Sequence, residues 1–176
     1  ESSYITSKFV YKKNTVNQKD GKNHVKSTHH QYVFRTKNIP ARTGVMLVGW
    51  GGNNGTTITN GILANRMGMT WETKEGPVSA NYYGSITQAS TVHIGTTETG
   101  EDAFVPFSSI LPQVHPNNII VGGWDINNLN IGDATKRACV LDTGLQKKLY
   151  PITKHIVPLP SIYGPDFIAA NQKQRA

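Results

Sequence analysis

The sequence has one cysteine, Cys139, among its 176 residues. That excludes an internal disulfide framework and a cysteine-rich zinc site. Cys139 falls in the helical-looking run 134–141, where a buried, inert thiol is expected, and such sparing use of cysteine fits a reducing, cytoplasmic setting. No run approaches the roughly 18 to 20 consecutive apolar residues of a membrane span, so no membrane partner is expected. The opening Glu1-Ser2-Ser3-Tyr4 lacks the basic-then-apolar order of a secretory signal. It also lacks a starting Met, an indication that residues precede it. His24, His29, His30, His93, His115 and His155 show no metal-ligand spacing, and no protein metal site is expected. No Gly-Lys-Ser/Thr ending of a phosphate loop is present, which makes a nucleoside triphosphate the poorer ligand.

Apolar residues make up 37% and charged residues 16% of the chain, a balance that suits one folded domain with its own core. The formal charge is +7, which raises the question of nucleic acid. Lys12, Lys13, Lys19, Lys22, Lys26, Arg35, Lys37, Lys147, Lys148 and Lys173 form no dense block and do not interleave with aromatics. A solvated surface, with a phosphorylated substrate at most, is the better reading, and no nucleic-acid partner is expected.

Residues 4–11 and 31–36 are rich in Tyr, Phe, Val and Thr and read as strands on either side of a polar stretch with the turn signal Asp20-Gly21. This predicts a β-rich N-terminal arm over residues 1–40. The pattern then changes. Gly44-Val45-Met46-Leu47-Val48-Gly49 is a short apolar run, consistent with a strand buried on both faces of a parallel sheet. A Gly- and Asn-rich turn follows, then a helix over 56–67 with Ile58, Ile62 and Met67 near one face. Residues 68–103 have no strong period and read as an extended insertion with short strands. A short helix is expected within 106–112 and a strand over 118–122, running into Gly123-Trp124-Asp125. One long helix is expected over 131–149, carrying Ala134, Ala138, Leu141, Leu145 and Leu149 on one face. A strand over 155–159 and the opening of a last helix over 167–176 complete the order. The fold class is therefore α/β, a Rossmann-like parallel sheet with crossover helices, with the sheet domain over 41–176.

The most informative run is Val48-Gly49-Trp50-Gly51-Gly52-Asn53-Asn54-Gly55-Thr56-Thr57. Glycines between a strand and a helix let the backbone approach a pyrophosphate, and the first N–H groups of the helix face the anion. The spacing is one residue longer than the common dinucleotide fingerprint, and a tight turn without a ligand remains the competing reading. A dinucleotide site also needs an acid at a strand end to hold the adenosine ribose. Glu72 and Glu75 lie at the usual offset of about 20 residues but end no obvious strand. Asp125 does end one and is chosen, against the alternative of a turn-forming Asp.

Four blocks carry a resemblance: the glycine turn, Asn81-Tyr82-Tyr83-Gly84-Ser85-Ile86-Thr87-Gln88, Gly123-Trp124-Asp125-Ile126, and Pro160-Ser161-Ile162-Tyr163 running to Pro165-Asp166-Phe167-Ile168-Ala169-Ala170-Asn171-Gln172. In this order, over nearly the whole chain, they resemble the inositol-3-phosphate synthases. The resemblance implies an isomerase that turns glucose 6-phosphate into an inositol monophosphate with tightly held NAD. It implies oxidation at a substrate hydroxyl, enolisation, intramolecular aldol closure and reduction, in a cytoplasmic homo-oligomer, a tetramer by resemblance. The implied cofactor contacts are Gly51, Gly52, Asn53, Asn54, Asp125, Ser161, Ile162, Gln172 and Arg175. Ser161 and Ile162 follow a strand-like run, and Arg175 suits a phosphate, with a solvated surface charge as the alternative. The implied catalytic lysines belong to a later region, so no catalytic residue is assigned here and the chain is expected to stop before the catalytic part. Lys147, Lys148 and Lys154 read as surface charges. Thr57 stands where the family commonly has Ser, and residues 127–136 look divergent. The alternatives are a stand-alone NAD-binding or regulatory module and, less favoured, a basic nucleic-acid binder.

Overall fold

A computed structural model describes residues 3–172. In chain order the elements are β1 (Tyr4–Lys19), β2 (Lys22–Lys37), β3 (Gly44–Val48), α1 (Asn53–Arg66), β4 (Thr70–Thr73), β5 (Gly76–Ser79), α2 (Ile86–Ala89), β6 (Thr91–Thr96), β7 (Asp102–Pro106), α3 (Phe107–Ile110), β8 (Ile120–Asp125), α4 (Ile131–Ala138), α5 (Thr143–Thr153) and β9 (Leu159–Pro160). They fall into two compact units, Glu1–Pro40 with Thr91–Gln113, and Ala41–Ser90 with Val114–Ala176.

In the first unit β1 and β2 pair antiparallel along their whole length, from Tyr4 opposite Lys37 to Lys19 opposite Lys22. The polar residues between the two expected strands simply continue the ladder, because backbone groups make it. Asp20 and Gly21 turn the chain with positive φ of 52° and 70°, the backbone that a two-residue hairpin with right-twisted strands requires. Lys8, Lys12, Lys13, Lys19, Lys22, Lys26, Arg35 and Lys37 lie on this hairpin against one acid, Asp20. The positive charge that looks scattered in sequence is thus gathered on one ribbon. A second antiparallel pair, β6 with β7, belongs to the same unit and carries a bulge between His93 and Gly95.

The second unit is built on a parallel sheet in the order β3-β8-β9. Val45 faces Val121 and Val48 faces Trp124, and Asp125 at the end of β8 meets Pro160 of β9. The expected burial on both faces of β3 is corrected. Val45 and Leu47 are partly buried, whereas Met46 and Val48 on the opposite face are exposed, Val48 at 88%. Strand alternation puts one face under helices and leaves the other uncovered.

Helix α1 starts three residues before the expected position, because Asn53 and Asn54, read as turn residues, form its first turn after an extended Gly52. Its buried side is mostly small and polar, Gly55, Thr56, Thr59 and Asn60 with Ile62 and Ala64. Ile58 and Met67, expected to face inward, are about half exposed. Asn60 donates from Nδ2 to the Thr56 carbonyl at 2.8 Å and to the Thr135 hydroxyl at 2.7 Å, so a side-chain bond joins α1 to α4, while Asn60 Oδ1 is buried without a partner among the described residues.

The expected long helix over 131–149 is two helices. Cys139 adopts the left-handed conformation, φ 52° and ψ 31°, at the end of α4, and the thiol expected to be buried is exposed. Its Sγ donates to the Lys136 carbonyl at 3.0 Å. Ala134, itself buried, lies on α4 while Leu145 and Leu149 lie on α5, and the two leucines, but not Ala134, belong to the apolar core. That core joins Ala64, Leu145 and Leu149 to Leu63, Met69, Trp71, Ala80 and Leu141. The expected strand over 155–159 is reduced to β9, and the stretch expected to open a last helix begins with two 3-10 turns, Pro165–Phe167 and Ala170–Gln172. Among the described residues no helix is long and apolar enough to cross a membrane.

Candidate dinucleotide site

The glycine turn is fastened to β8 atom by atom. Gly49 and Trp50 donate their N–H groups to the Trp124 carbonyl at 2.8 and 2.9 Å, and Gly52 donates to the Gly49 carbonyl at 2.9 Å. Gly51 donates to Asp125 Oδ2 at 2.7 Å. Gly49 has a φ of +80°, which an L side chain rarely adopts. At Gly55 a Cβ would overlap the Trp50 carbonyl, so glycine is needed there for close approach. The buried Trp50 indole donates to the Thr59 hydroxyl at 2.7 Å, which fixes the turn on α1 as well.

The first intrahelical bond of α1 runs from the Thr56 N–H to the Gly52 carbonyl at 2.9 Å. The N–H groups of Asn53, Asn54 and Gly55 therefore have no partner within the helix. They lie at the positive end of the helix dipole, where an anion is favoured. Of the four N–H groups before them, all are committed inside the protein. A phosphate would be met by the first helical turn and not by the N–H groups of Gly49, Gly51 and Gly52.

Asp125 is 3% exposed. Its Oδ2 accepts from Gly51 and its Oδ1 from the Asn127 N–H at 2.9 Å, while its carbonyl accepts from the Ser161 N–H at 3.1 Å. One residue thus ties together the glycine turn, the loop after β8 and the end of β9. Each carboxylate oxygen keeps a second lone-pair direction for a further donor such as a ribose hydroxyl.

Three hollows adjoin at the carboxyl ends of the strands, where ligands of open α/β sheets sit. One of about 350 Å³ is lined by Val48, Gly49, Gly52, Asp125, Ile126, Ser161 and Gln172. A second of about 360 Å³ is lined by Val48, Trp124, Pro160, Ser161 and Ile162. The third, about 460 Å³, is lined by Leu47, Val48, Gly49, Gly52, Asn53, Asn54, Gly55 and Ile58. All three share Val48. Of the residues expected from sequence, Gly52, Asn53, Asn54, Asp125, Ser161, Ile162 and Gln172 are brought together here. Gly51 lies behind the turn, with its N–H turned to Asp125. Arg175 lies outside the described residues. Glu72, on β4, is not among the residues that line the cleft.

Sequence reasoning missed Val48, Ile126 and Arg137. Val48 was legible as the last residue of an apolar strand before the glycines, and Ile126 as the neighbour of Asp125. Arg137 donates from Nη2 to the Gly51 carbonyl at 2.8 Å, a contact across the fold that no local pattern announces. The residues 127–136 that looked divergent hold α4 in place. Asn130 accepts from the Asp133 N–H at 2.9 Å and donates to its carboxylate at 2.7 Å. That bond, with those from Tyr150 and Lys136, holds the Asp133 carboxyl below the usual carboxylate value of 3.8, against a smaller opposing effect of desolvation.

A family model described as myo-inositol-1-phosphate synthase, an NAD-binding one, matches residues 43–176. The chain belongs to the myo-inositol-1-phosphate synthase family. Among members of this synthase family, the inositol-3-phosphate synthase of Dictyostelium discoideum is 49% identical over 98% of this chain and 34% of its own length. That of Sesamum indicum is 54% identical over 86% of this chain and 30% of its own length. The crystal structure of the Caenorhabditis elegans inositol-3-phosphate synthase is 48% identical, with a TM-score of 0.93 over all of this chain and 35% of that one. The chain thus spans about a third of the length of the curated relatives it matches. The synthase-family site binds NAD, and the residues present fit that cofactor. The glycines leave room where a Cβ would intrude, the first turn of α1 offers N–H groups to a pyrophosphate, and a nearly buried carboxylate stands in the adjoining hollow.

Proposed function

We propose that residues 41–176 form the NAD-binding domain of an isomerase that converts glucose 6-phosphate into 1D-myo-inositol 3-phosphate, with residues 1–40 as an attached arm. The observation that carries this reading is the cleft, which gathers residues distant in sequence, Gly52, Asp125, Ser161 and Gln172, around one hollow. The match over residues 43–176 supports it.

Bound NAD supplies reversible hydride exchange at a substrate carbon. The chain's own residues bind and orient. The N–H groups of Asn53, Asn54 and Gly55 hold the pyrophosphate. Asp125 accepts from a ribose hydroxyl while its other bonds keep it fixed. Ser161, Ile162 and Gln172 close the opposite wall, and Arg175 meets a phosphate. Enolisation, aldol closure and reduction need acids and cations for which we assign no residue in this chain. The assembly that works is a cytoplasmic homo-oligomer, a tetramer.

The test is the complete protein, supplied with glucose 6-phosphate and NAD and followed by phosphorus NMR. An inositol monophosphate without net accumulation of reduced cofactor is the expected result. Binding of NAD without any product would reduce the reading to a dinucleotide-binding module. Absence of NAD binding would overturn it.

A further inference from the structure

Gly51 is held at both of its backbone polar groups by charged side chains. Its N–H donates to the Asp125 carboxylate at 2.7 Å, and its carbonyl accepts from the Arg137 guanidinium at 2.8 Å. Both are charge-assisted bonds, stronger than neutral ones, and they hold two successive peptide groups, the anion at the N–H of Trp50–Gly51 and the cation at the carbonyl of Gly51–Gly52. Ala134 and Arg137 are three residues apart on α4 and so share a face. A Cβ built on Gly51 would lie 3.6 Å from that of Ala134 and 3.1 Å from Asp125 Oδ2. The face of α4 that carries Arg137 is therefore the one beneath the turn.

This grip matters because Gly51-Gly52 is the part of the chain with the least intrinsic preference for one backbone orientation. A flip of the Trp50–Gly51 peptide would turn the Trp50 carbonyl toward the Asp125 carboxylate, and a flip of the Gly51–Gly52 peptide would turn the Gly52 N–H toward the guanidinium. Both contacts would become repulsive. Asp125 thus selects the orientation of the first peptide, and Arg137 that of the second, which leads into the first turn of α1 and whose N–H, on Gly52, donates to the Gly49 carbonyl at 2.9 Å. Arg137 lines none of the three hollows described above, and it meets the turn at the Gly51 carbonyl.

We propose that Arg137 is a positioning residue for the dinucleotide turn, locking the Gly51–Gly52 peptide so that the first-turn N–H groups of α1 stay aimed at the pyrophosphate. This rests on the NAD-binding reading of the same cleft.

The experiment compares Arg137→Ala and Arg137→Lys with the unaltered sequence in the complete synthase, measuring the Kd for NAD, kcat at saturating NAD and the Tm without NAD. A hydrogen bond to a charged group carries roughly 10- to 100-fold in an equilibrium constant. Arg137→Ala is expected to raise the Kd for NAD at least about tenfold, with kcat kept within about twofold. Arg137→Lys, which keeps a cation that can reach the carbonyl, is expected to recover part of the affinity. The bond is present without NAD, so the ligand-free Tm is expected to fall by a few degrees, while the stabilisation added by NAD shrinks. An unchanged Kd in Arg137→Ala overturns the proposal. So does a joint fall of kcat and ligand-free Tm with Lys no better than Ala, which is the signature of a purely structural role. If the unaltered enzyme does not bind NAD, the functional reading falls and this inference with it. If it binds and Arg137→Ala binds equally, this inference falls alone.

Discussion

The hairpin and the α/β unit hold their shapes by different means. On the hairpin Phe9 is 52% exposed, and Tyr11, Tyr32, Val33 and Phe34 are similarly open, although Tyr32 and Phe34 stack with centroids 6.3 Å apart. In the α/β unit Ile131, Ala134 and Leu149 have no exposed surface. The hairpin is specified by its turn and its backbone ladder, the α/β unit by side chains that leave water. Isolated two-stranded ribbons are marginal, and an exposed apolar row with unpaired strand edges invites pairing. Solubility of this chain by itself is therefore expected to be poor, and a sharp, reversible, monomeric melt would count against that.

The largest contrast comes from truncating one apolar side chain in each region. Leu149→Ala opens a cavity in the core and is expected to cost about 2–5 kcal/mol. Phe9→Ala, as the hairpin stands, should cost within about 0.5 kcal/mol, as surface changes do. Denaturant melts of the complete enzyme check both. If Phe9→Ala costs as much as Leu149→Ala, the comparison breaks, and the hairpin face is covered by other parts of the complete protein.

Glycine substitution sharpens the same contrast at a smaller scale. Gly55→Ala forces a Cβ against the Trp50 backbone, an overpacking worth about 1–3 kcal/mol, and displaces the α1 N–H groups. Both stability and NAD affinity should fall, the latter read by calorimetry. Gly21→Ala meets open space but must adopt a φ of +70°. Its cost should be about 1–2 kcal/mol, confined to the hairpin amides in hydrogen exchange, with NAD affinity unchanged. Equal loss of NAD affinity in both variants would refute the independence of the two regions.

What the sequence made legible follows the same division. Asp20-Gly21, the apolar run before Gly49 and the strand that ends at Asp125 are local signals, and each element formed where its residues require it. The break at Cys139 was hidden because Ala134, Leu145 and Leu149 keep an apolar period across it, although Ala134 lies on α4 and outside the core that holds the two α5 leucines. The one-sided burial of β3 was hidden because Met46 and Val48 are as apolar as Val45 and Leu47, and periodicity cannot say which face a helix covers. Asp125 was found as a strand-end acid, and its bond from the Asn127 N–H is the local turn that the sequence offered as the alternative, whereas its bond from Gly51 is fixed only by the fold. The Arg137 contact spans 86 residues and leaves no local trace.

The smallest expected effect is in acid. The Asn130 amide, the Tyr150 hydroxyl 3.1 Å away and Lys136 3.5 Å away all favour the charged Asp133 carboxylate. Its folded pKa is therefore below the ordinary 3.8. A depressed carboxylate pKa contributes stability that is present above the unfolded value and is lost as pH falls through the folded one. Protection of the α4 and α5 amides should accordingly weaken below pH 3.8, and hydrogen exchange resolved by segment would show it. Asp133→Asn should remove that acid limb without touching the hairpin amides. Because Asp133 lies at the surface, added salt should diminish the Lys136 part of the effect and leave the Asn130 part. An acid limb that persists in Asp133→Asn would assign it to another carboxylate and separate the pH response from the start of α4.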